Sequence, residues 1–325
     1  MKDILFAVNA TFPIVLTVMV GYFLKKIGLV DASLASAMNK LVFKVFLPSM
    51  LFLNVYKIES FADIDFSFVW YTLGATALLF GLALFSVRLF ATENPKRGAL
   101  LQSVFRANYA LVGIPLATSL FGESGGIMAT VLSAFIVPMF NMLAVVGLSI
   151  FSSGKKPGIG RVLIDITKNP LIRAIALGFV ALGIRAVFVK FNINFRLTDI
   201  QPVYKTLSNL SSIATPLALV ALGAQFELSA IPELKKYILF GVAVRNILIP
   251  VLGIGAAYFI GGFEGAHFAT FVAVFCTPVA VSSVPMAQEM DADVALAGQL
   301  VVWTTVFSAI SIFLASYVLR VLAIF

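Results

Sequence analysis

The side chains that could do chemistry in this sequence are few, and most are uncharged amides and hydroxyls set in long apolar runs. Asn108, Asn141, Ser282 and Ser283 lie in such runs. Each can donate a hydrogen bond without bringing a net charge, so together they could bind the carboxylate of an anion. Arg106 stands two residues before Asn108. It could attract the same anion, or it could extend its charged end toward a membrane surface.

The composition excludes several other kinds of chemistry. Hydrophobic residues make up 61% of the 325 residues and charged residues only 12%, against roughly 25% charged in a soluble domain. The single cysteine, Cys276, excludes a disulfide framework and a cysteine-based zinc site, and the single histidine, His267, argues against a Ser–His–Asp hydrolase. A phosphate-binding GxxxxGK[ST] motif does not occur. We therefore expect a protein that is not an enzyme, with no metal and no cofactor.

Apolar segments long enough to cross a bilayer, which takes about 20 residues, recur along the whole chain. They predict an all-α integral membrane protein with ten transmembrane helices, which we number as spans one to ten. The predicted spans are 4–24, 34–54, 66–90, 97–121, 125–150, 169–189, 206–226, 235–260, 264–288 and 293–322.

The basic residues predict the orientation of these spans. The net charge of +8 indicates membrane topology in so apolar a chain, because Lys and Arg concentrate in cytoplasmic loops. We therefore expect no nucleic-acid partner. With the N-terminus outside, cytoplasmic segments carry eleven Lys and Arg and external segments carry six. We expect a multi-pass protein of the cell membrane, with both termini outside and a cytoplasmic connecting loop at 151–168.

The two halves of the chain resemble each other. "FLPSMLFLNV" (46–55) pairs with "ATPLALVALG" (214–223), and "ANYALVGIPLATSLFGE" (107–123) pairs with "TPVAVSSVPMAQEMDAD" (277–293). The pattern predicts a first five-helix repeat over 1–150 and a second over 169–325. Because five spans is an odd number, the second repeat must enter the bilayer from the opposite side, which gives the inverted repeat of many secondary transporters.

Proline and glycine interrupt two spans at matching places in the halves. Span four contains Gly113 and Pro115, and span nine contains Pro278 and Pro285. Proline removes a backbone donor and breaks helices, and paired interruptions point to a substrate site. Half-helix N-termini at such a point would favour an anion. The candidate substrate-binding residues are Asn108, Gly113, Pro115, Asn141, Ser282, Ser283 and Pro285.

Four segments resemble the auxin efflux carrier family. They are "GYFLKKIGLVDASLASAMNKLVFKVFLPSMLF", "FRANYALVGIPLATSLFGE", "VRNILIPVLG" and "TPVAVSSVPMAQEMDADVALAGQLVVWTTVFS". The resemblance covers nearly the whole chain and is to bacterial-type members with a short central loop. It implies ten helices in a five-plus-five inverted repeat, with spans four and nine broken and crossing, akin to bile-acid symporters and sodium–proton antiporters. The implied substrate is a small carboxylate such as malate or malonate, or an auxin-like aromatic acid.

The same resemblance suggests supporting or gating residues. Asn39 and Gln225 lie on spans where related folds place ion ligands, and Arg245 matches an arginine of span eight that is either paired or at an interface. Arg106, as a charge within a predicted span, and Pro278, at the break of span nine, complete this set on the grounds of the residues themselves. The resemblance implies a coupling ion, proton or sodium, and a homodimer. An anion channel or facilitator without a coupled cycle is the alternative function.

Overall fold

The computed structural model describes residue 13 and residues 16–57, 66–152, 167–226 and 228–324. Within these ranges the chain is helical and contains no β-strand. The predicted span 4–24 falls partly outside the described residues, which show helix over 16–26, here called α1. Most of the predicted connecting loop at 151–168 also lies outside the described residues.

Eleven further helices follow α1 in the described ranges. The helix Ile114–Phe151 bends sharply at Phe121 and Gly122, whose backbone angles are not helical. We call the part before this bend α5 and the part after it, Ser124–Phe151, α6. The remaining helices are α2 Ala32–Tyr56, α3 Phe66–Phe90, α4 Asn94–Phe105, α7 Pro170–Lys190, α8 Gln201–Gln225, α9 Ile231–Ile260, α10 Ala266–Phe275, α11 Ser283–Glu289 and α12 Val294–Val321.

Seven of these helices are long and apolar enough to cross a membrane: α2, α3, α6, α7, α8, α9 and α12. They coincide with seven of the predicted spans. Large apolar side chains such as Trp70, Leu89 and Phe259 are exposed on the outer surface of these helices. A water-facing helix keeps such side chains on its buried stripe, whereas lipid tails solvate them. The all-helical integral membrane class predicted from the composition is confirmed.

Span four is interrupted, and so is span nine. The helix α4 ends at Phe105, and helical structure resumes with a π-helical turn at Tyr109–Gly113 that leads into α5. The helix α10 ends at Phe275 and α11 begins at Ser283. The interruptions touch: the Asn108 N–H donates to the Pro278 carbonyl at 2.7 Å, and Ala107 and Val279 form an isolated antiparallel bridge.

The interruption in span four falls earlier than the positions of Gly113 and Pro115 suggest. Pro115 stands at the start of α5, directly after the π-helical turn Tyr109–Gly113, so helical structure has already resumed six residues before it. Gly113 is needed for close packing, because a Cβ there would lie 2.9 Å from the Ala273 carbonyl oxygen of α10. In span nine, Pro278 lies inside the interruption and Pro285 lies in the first turn of α11.

The helices form two groups. In the first group α2 packs against α7 and α8, and α1 approaches α8 so closely that a Cβ on Gly21 would collide with the Val220 backbone. The second group contains α3 to α6 and α9 to α12, which pack on one another around α4 and α10. Both interruptions belong to the second group and lie where it faces α2 and α8.

Candidate functional site

A cavity of about 230 Å³ lies beside the contact between the two interruptions. The first interruption and the turn after it contribute Arg106, Ala107, Asn108, Tyr109 and Ala110 to its wall. The second contributes Ala280, Val281 and Ser282. The remaining wall comes from Leu47, Met50 and Asn54 of α2, Val137, Phe140 and Asn141 of α6, and Ala214, Thr215 and Ala218 of α8. The cavity therefore lies between the two groups of helices.

Arg106 brings a buried positive charge to this wall. Its side chain is 1% exposed, so the guanidinium points into the protein and does not extend to a membrane surface. It donates to Gln102 Oε1 at 2.7 Å, Asn141 Oδ1 at 2.7 Å and Ser282 Oγ at 2.6 Å. These partners are neutral, and in the described part of the chain no carboxylate lies within ion-pair distance of it. An uncompensated buried charge is costly, so the wall favours an anion.

Asn108 adds an unused hydrogen-bond donor. Its Nδ2 atom is buried and has no partner, which costs about 1–3 kcal/mol. The backbone of Asn108 begins the helix that resumes after the interruption, because its carbonyl accepts the Val112 N–H at 3.0 Å. The N–H groups of the first turn of a helix have no intrahelical acceptor. Asn108 lines the cavity, so a ligand acceptor that reaches its Nδ2 would satisfy the amide and lie near that helix N-terminus.

Asn141 and Ser282 have their acceptor oxygens turned toward Arg106. The Asn141 Nδ2 donates to the Val137 carbonyl at 2.8 Å, which fixes the amide with its oxygen facing the guanidinium. Asn108, Asn141 and Ser282 were predicted as substrate-binding residues from the sequence. The structure brings them together around Arg106 in one cavity wall.

The other four predicted binding residues do not line this cavity. Gly113 packs against α10, and Pro115 is exposed. Ser283 and Pro285 are buried in α11, where the Ser283 hydroxyl has no hydrogen-bond partner. Pro115 and Pro285 lie in the helices that follow the two interruptions, and neither lines the cavity.

Arg245 joins α9 to both interrupted helices. It lies in a π-helical turn, Val244–Leu248, and is 1% exposed. Its Nε donates to the Thr277 carbonyl at 2.8 Å and its Nη2 to the Val274 carbonyl at 2.7 Å. Its Nη1 donates to the Val104 carbonyl at 3.4 Å. The sequence left Arg245 either paired or at an interface, and the structure shows it bonded to backbone carbonyls.

Asn39 and Gln225 belong to a second polar region, which we call the amide cluster: Ser36, Asn39, Gln225 and Gln288. The Asn39 Nδ2 donates to Gln225 Oε1 at 2.7 Å and to Gln288 Oε1 at 3.1 Å. The Gln288 Nε2 donates to the Ser36 carbonyl and hydroxyl, both at 3.1 Å. Gln225 lies seven residues beyond Ala218 of the cavity wall, or about 10 Å along α8. The cluster thus joins α2 and α8 to α11 at one side of the cavity.

Sequence reasoning missed Gln102 and Gln288. Gln102 is fully buried and stands four residues, one helical turn, before Arg106. That spacing could have marked it as a partner of the arginine. Gln288 gave no comparable signal, because its partners lie 63 to 252 residues away in the chain.

Long apolar helices with outward-facing apolar side chains, together with an internal cavity at two interrupted helices, define an integral membrane protein. The sequence model of the membrane transport protein family matches residues 6–316. The chain belongs to this family, and its predicted resemblance to the auxin efflux carriers is confirmed.

Two archaeal relatives match nearly the whole chain. An uncharacterized transporter of Methanothermobacter thermautotrophicus is 25% identical over 307 residues, which cover 94% of this chain and 96% of the relative. An uncharacterized transporter of Methanocaldococcus jannaschii is 26% identical over 323 residues, with the same two coverages. The family is one of membrane transporters, which agrees with the prediction that the protein is not an enzyme.

Proposed function

We propose that this protein is a secondary transporter of small organic anions that works by alternating access. The observation that carries the proposal is the cavity between the two helix groups. Its wall includes Arg106, which is buried, and Asn108, whose Nδ2 has no hydrogen-bond partner. A carboxylate would supply both the missing charge and the missing acceptor, whereas a cation would meet the guanidinium at close range.

The size of the cavity narrows the substrate class. About 230 Å³ is below the roughly 300–1,000 Å³ of pockets that hold drug-sized ligands. A small carboxylate of the size of malate or malonate fits this volume better than an auxin-like aromatic acid. In this proposal the substrate carboxylate pairs with the charge of Arg106 and accepts a hydrogen bond from Asn108. Asn141 and Ser282, which accept from Arg106 in the structure, would bond to the substrate instead.

The architecture that we propose is ten spans in two inverted repeats, over 1–150 and 169–325. Two observations support it. The interruptions occupy matching positions in the two halves and touch each other through Asn108 and Pro278. The helices also separate into two groups with the cavity between them, as rocking of one bundle against another requires. In this scheme the group with α2, α7 and α8 is the scaffold through which a homodimer would form.

The orientation we propose puts both termini outside the cell membrane and residues 151–168 inside. The excess of Lys and Arg on one side supports it. A reporter enzyme that is active only outside the cytoplasm, fused after Phe325, is expected to be active. Activity of a cytoplasm-only reporter at the same position would reverse the orientation.

The direct test is a ligand screen on the purified protein. Malate, malonate, an indole carboxylate and neutral amino acids are added with and without sodium and at several pH values. A ligand that binds only the folded state must raise the melting temperature. We expect a small carboxylate to do so and neutral amino acids to have no effect. Stabilisation by amino acids or cations alone would contradict the proposal.

Flux measurements distinguish a transporter from a channel. In proteoliposomes the stabilising carboxylate should show saturable uptake that is accelerated by the same carboxylate on the other side of the membrane. Imposed proton and sodium gradients then identify the coupling ion. An uptake rate that rises linearly with concentration and does not depend on carboxylate on the other side of the membrane would support the anion channel instead.

A further inference from the structure

Arg245 lies outside the cavity wall, yet its three backbone acceptors share one feature. Val104 is in the last turn of α4, Val274 is in the last turn of α10, and Thr277 is the second residue after α10. The last carbonyls of a helix lack intrahelical donors. One buried side chain therefore serves the carboxyl ends of both interrupted helices.

Those carboxyl ends pose an electrostatic problem for an anion site. Each helix carries about half a negative elementary charge at its C-terminus. The helices α4 and α10, with 12 and 10 residues, both end within a few residues of the cavity wall. Together they amount to about one negative charge beside the site, which opposes the potential of Arg106.

From this geometry we infer that Arg245 determines the charge selectivity of the cavity by neutralising the two helix C-termini. Its single positive charge matches their summed partial charges, and its fork of donors reaches both helices at once. It is a positioning residue and does not touch the substrate. The inference deepens the proposed function, because it concerns the same site and the same preference for anions.

The sign of the electrostatic potential in the cavity can be measured without a known substrate, from the rates at which charged reagents label a cysteine placed there. Ala110 lines the cavity and is exposed, so Ala110→Cys should react with small methanethiosulfonates. One reagent carries a sulfonate and the other a trimethylammonium group. The measured quantity is the ratio of their labelling rates in the purified protein. The parent chain, whose Cys276 is buried, gives the background.

In Ala110→Cys the anionic reagent is expected to react faster. Adding Arg245→Gln removes the charge and should lower the rate ratio about tenfold, the scale of helix-end interactions in partly buried sites. Arg245→Lys keeps the charge and should stay within about threefold of the Ala110→Cys value. The matched control is Lys235→Gln, which removes one positive charge ten residues earlier on α9, about 15 Å away, and should leave the ratio unchanged.

Three outcomes would overturn the inference: a ratio that does not change in Arg245→Gln, a change of equal size in Lys235→Gln, or a faster reaction of the cationic reagent in Ala110→Cys itself. If Arg245→Gln does not fold, Arg245→Lys tests the inference. A tenfold change of the labelling-rate ratio in that variant, which keeps the charge, would also overturn the inference. Failure of every carboxylate to bind would refute the proposed function and leave this ratio measurable.

Discussion

The cavity and the amide cluster both bring polar side chains together between the two helix groups, but they use their hydrogen-bond donors differently. In the cavity, Asn108 Nδ2 has no acceptor and Arg106 has only neutral ones. In the amide cluster, the side-chain nitrogens of Asn39, Gln225 and Gln288 all donate to acceptors within the cluster. The cavity is therefore suited to binding an acceptor-rich ligand, whereas the side-chain donors of the cluster already have acceptors and hold α2 and α8 against α11.

The charges around the two regions also differ, because those near the amide cluster are paired. The amide cluster adjoins an ion pair in which Lys44 Nζ lies 3.7 Å from a Glu289 carboxylate oxygen, so its nearby charges compensate each other. The atom left without a partner there is an acceptor, Asn39 Oδ1, and a water molecule could supply its donor. Changes in the cavity should thus alter ligand affinity, and changes in the cluster should alter stability.

The largest effect on affinity is expected for Arg106→Met. It removes the positive charge from the cavity wall, and one hydrogen bond to a charged group is worth up to about 3 kcal/mol. We expect the affinity for the carboxylate found in the ligand screen to fall roughly a hundredfold. Isothermal calorimetry measures the loss. Arg88→Met, which removes an exposed arginine from α3, is the control, and an equal loss there would show that the effect is not local.

A smaller loss is expected for Asn108→Ala. The substitution deletes the unpaired donor but leaves Pro115 and the Asn108–Pro278 backbone bond in place. The same calorimetric measurement should give a ten- to hundredfold weaker affinity, or about 1.5–3 kcal/mol, with normal expression. Asn209→Ala removes an exposed amide from α8 and should bind normally. Unchanged affinity in Asn108→Ala would mean that the asparagine only supports the backbone.

The amide cluster should give the opposite pattern. Gln288→Leu leaves Asn39 and Gln225 without a shared acceptor and Ser36 without a donor. We expect the free energy of unfolding to fall by about 1–3 kcal/mol, while the carboxylate affinity stays within about threefold. Thermal unfolding and calorimetry on one preparation provide both values. A tenfold loss of affinity with unchanged stability would remove the distinction between the two regions.

The smallest effect is expected at Asp31, which caps α2 and is hydrogen-bonded to neither polar region in the described part of the chain. The Leu34 N–H and the Ser33 hydroxyl donate to its carboxylate and hold its pKa below the ordinary value of 3.8. This carboxylate therefore stabilises the fold above that value, and its contribution is lost as the pH falls through the lowered pKa. Melting curves from pH 6 to about 3 should lose this component in Asp31→Asn. An unchanged acid profile in that variant would argue against the cap.

The helices were predictable because lipid imposes a simple rule on the sequence. Segments of about 20 apolar residues marked α3, α7 and α12 to within a few residues. The interruption in span four was predicted in the right span but too close to Pro115. Pro115 stands six residues after helical structure resumes at Tyr109, so its position could not give the residue at which α4 ends.

The cavity was predictable only in part. Asn108, Asn141 and Ser282 stood out as polar residues in apolar runs, and they do share a wall. Most hydrogen bonds of Arg106 and all three of Arg245 join helices that are far apart in the chain. Local sequence patterns do not predict such contacts. Gln288 was missed for the same reason, since its bonds reach α2 and α8.

The central claim is that the cavity binds an anion, and the most direct measurement compares a carboxylate with its neutral analogue. Malonate and malonamide differ little in size, and both fit a cavity of about 230 Å³. At fixed pH and salt we expect malonate, or the carboxylate identified in the ligand screen, to bind at least about tenfold more tightly than its amide, because only the carboxylate compensates Arg106. Equal binding of the acid and its amide would contradict the anion site.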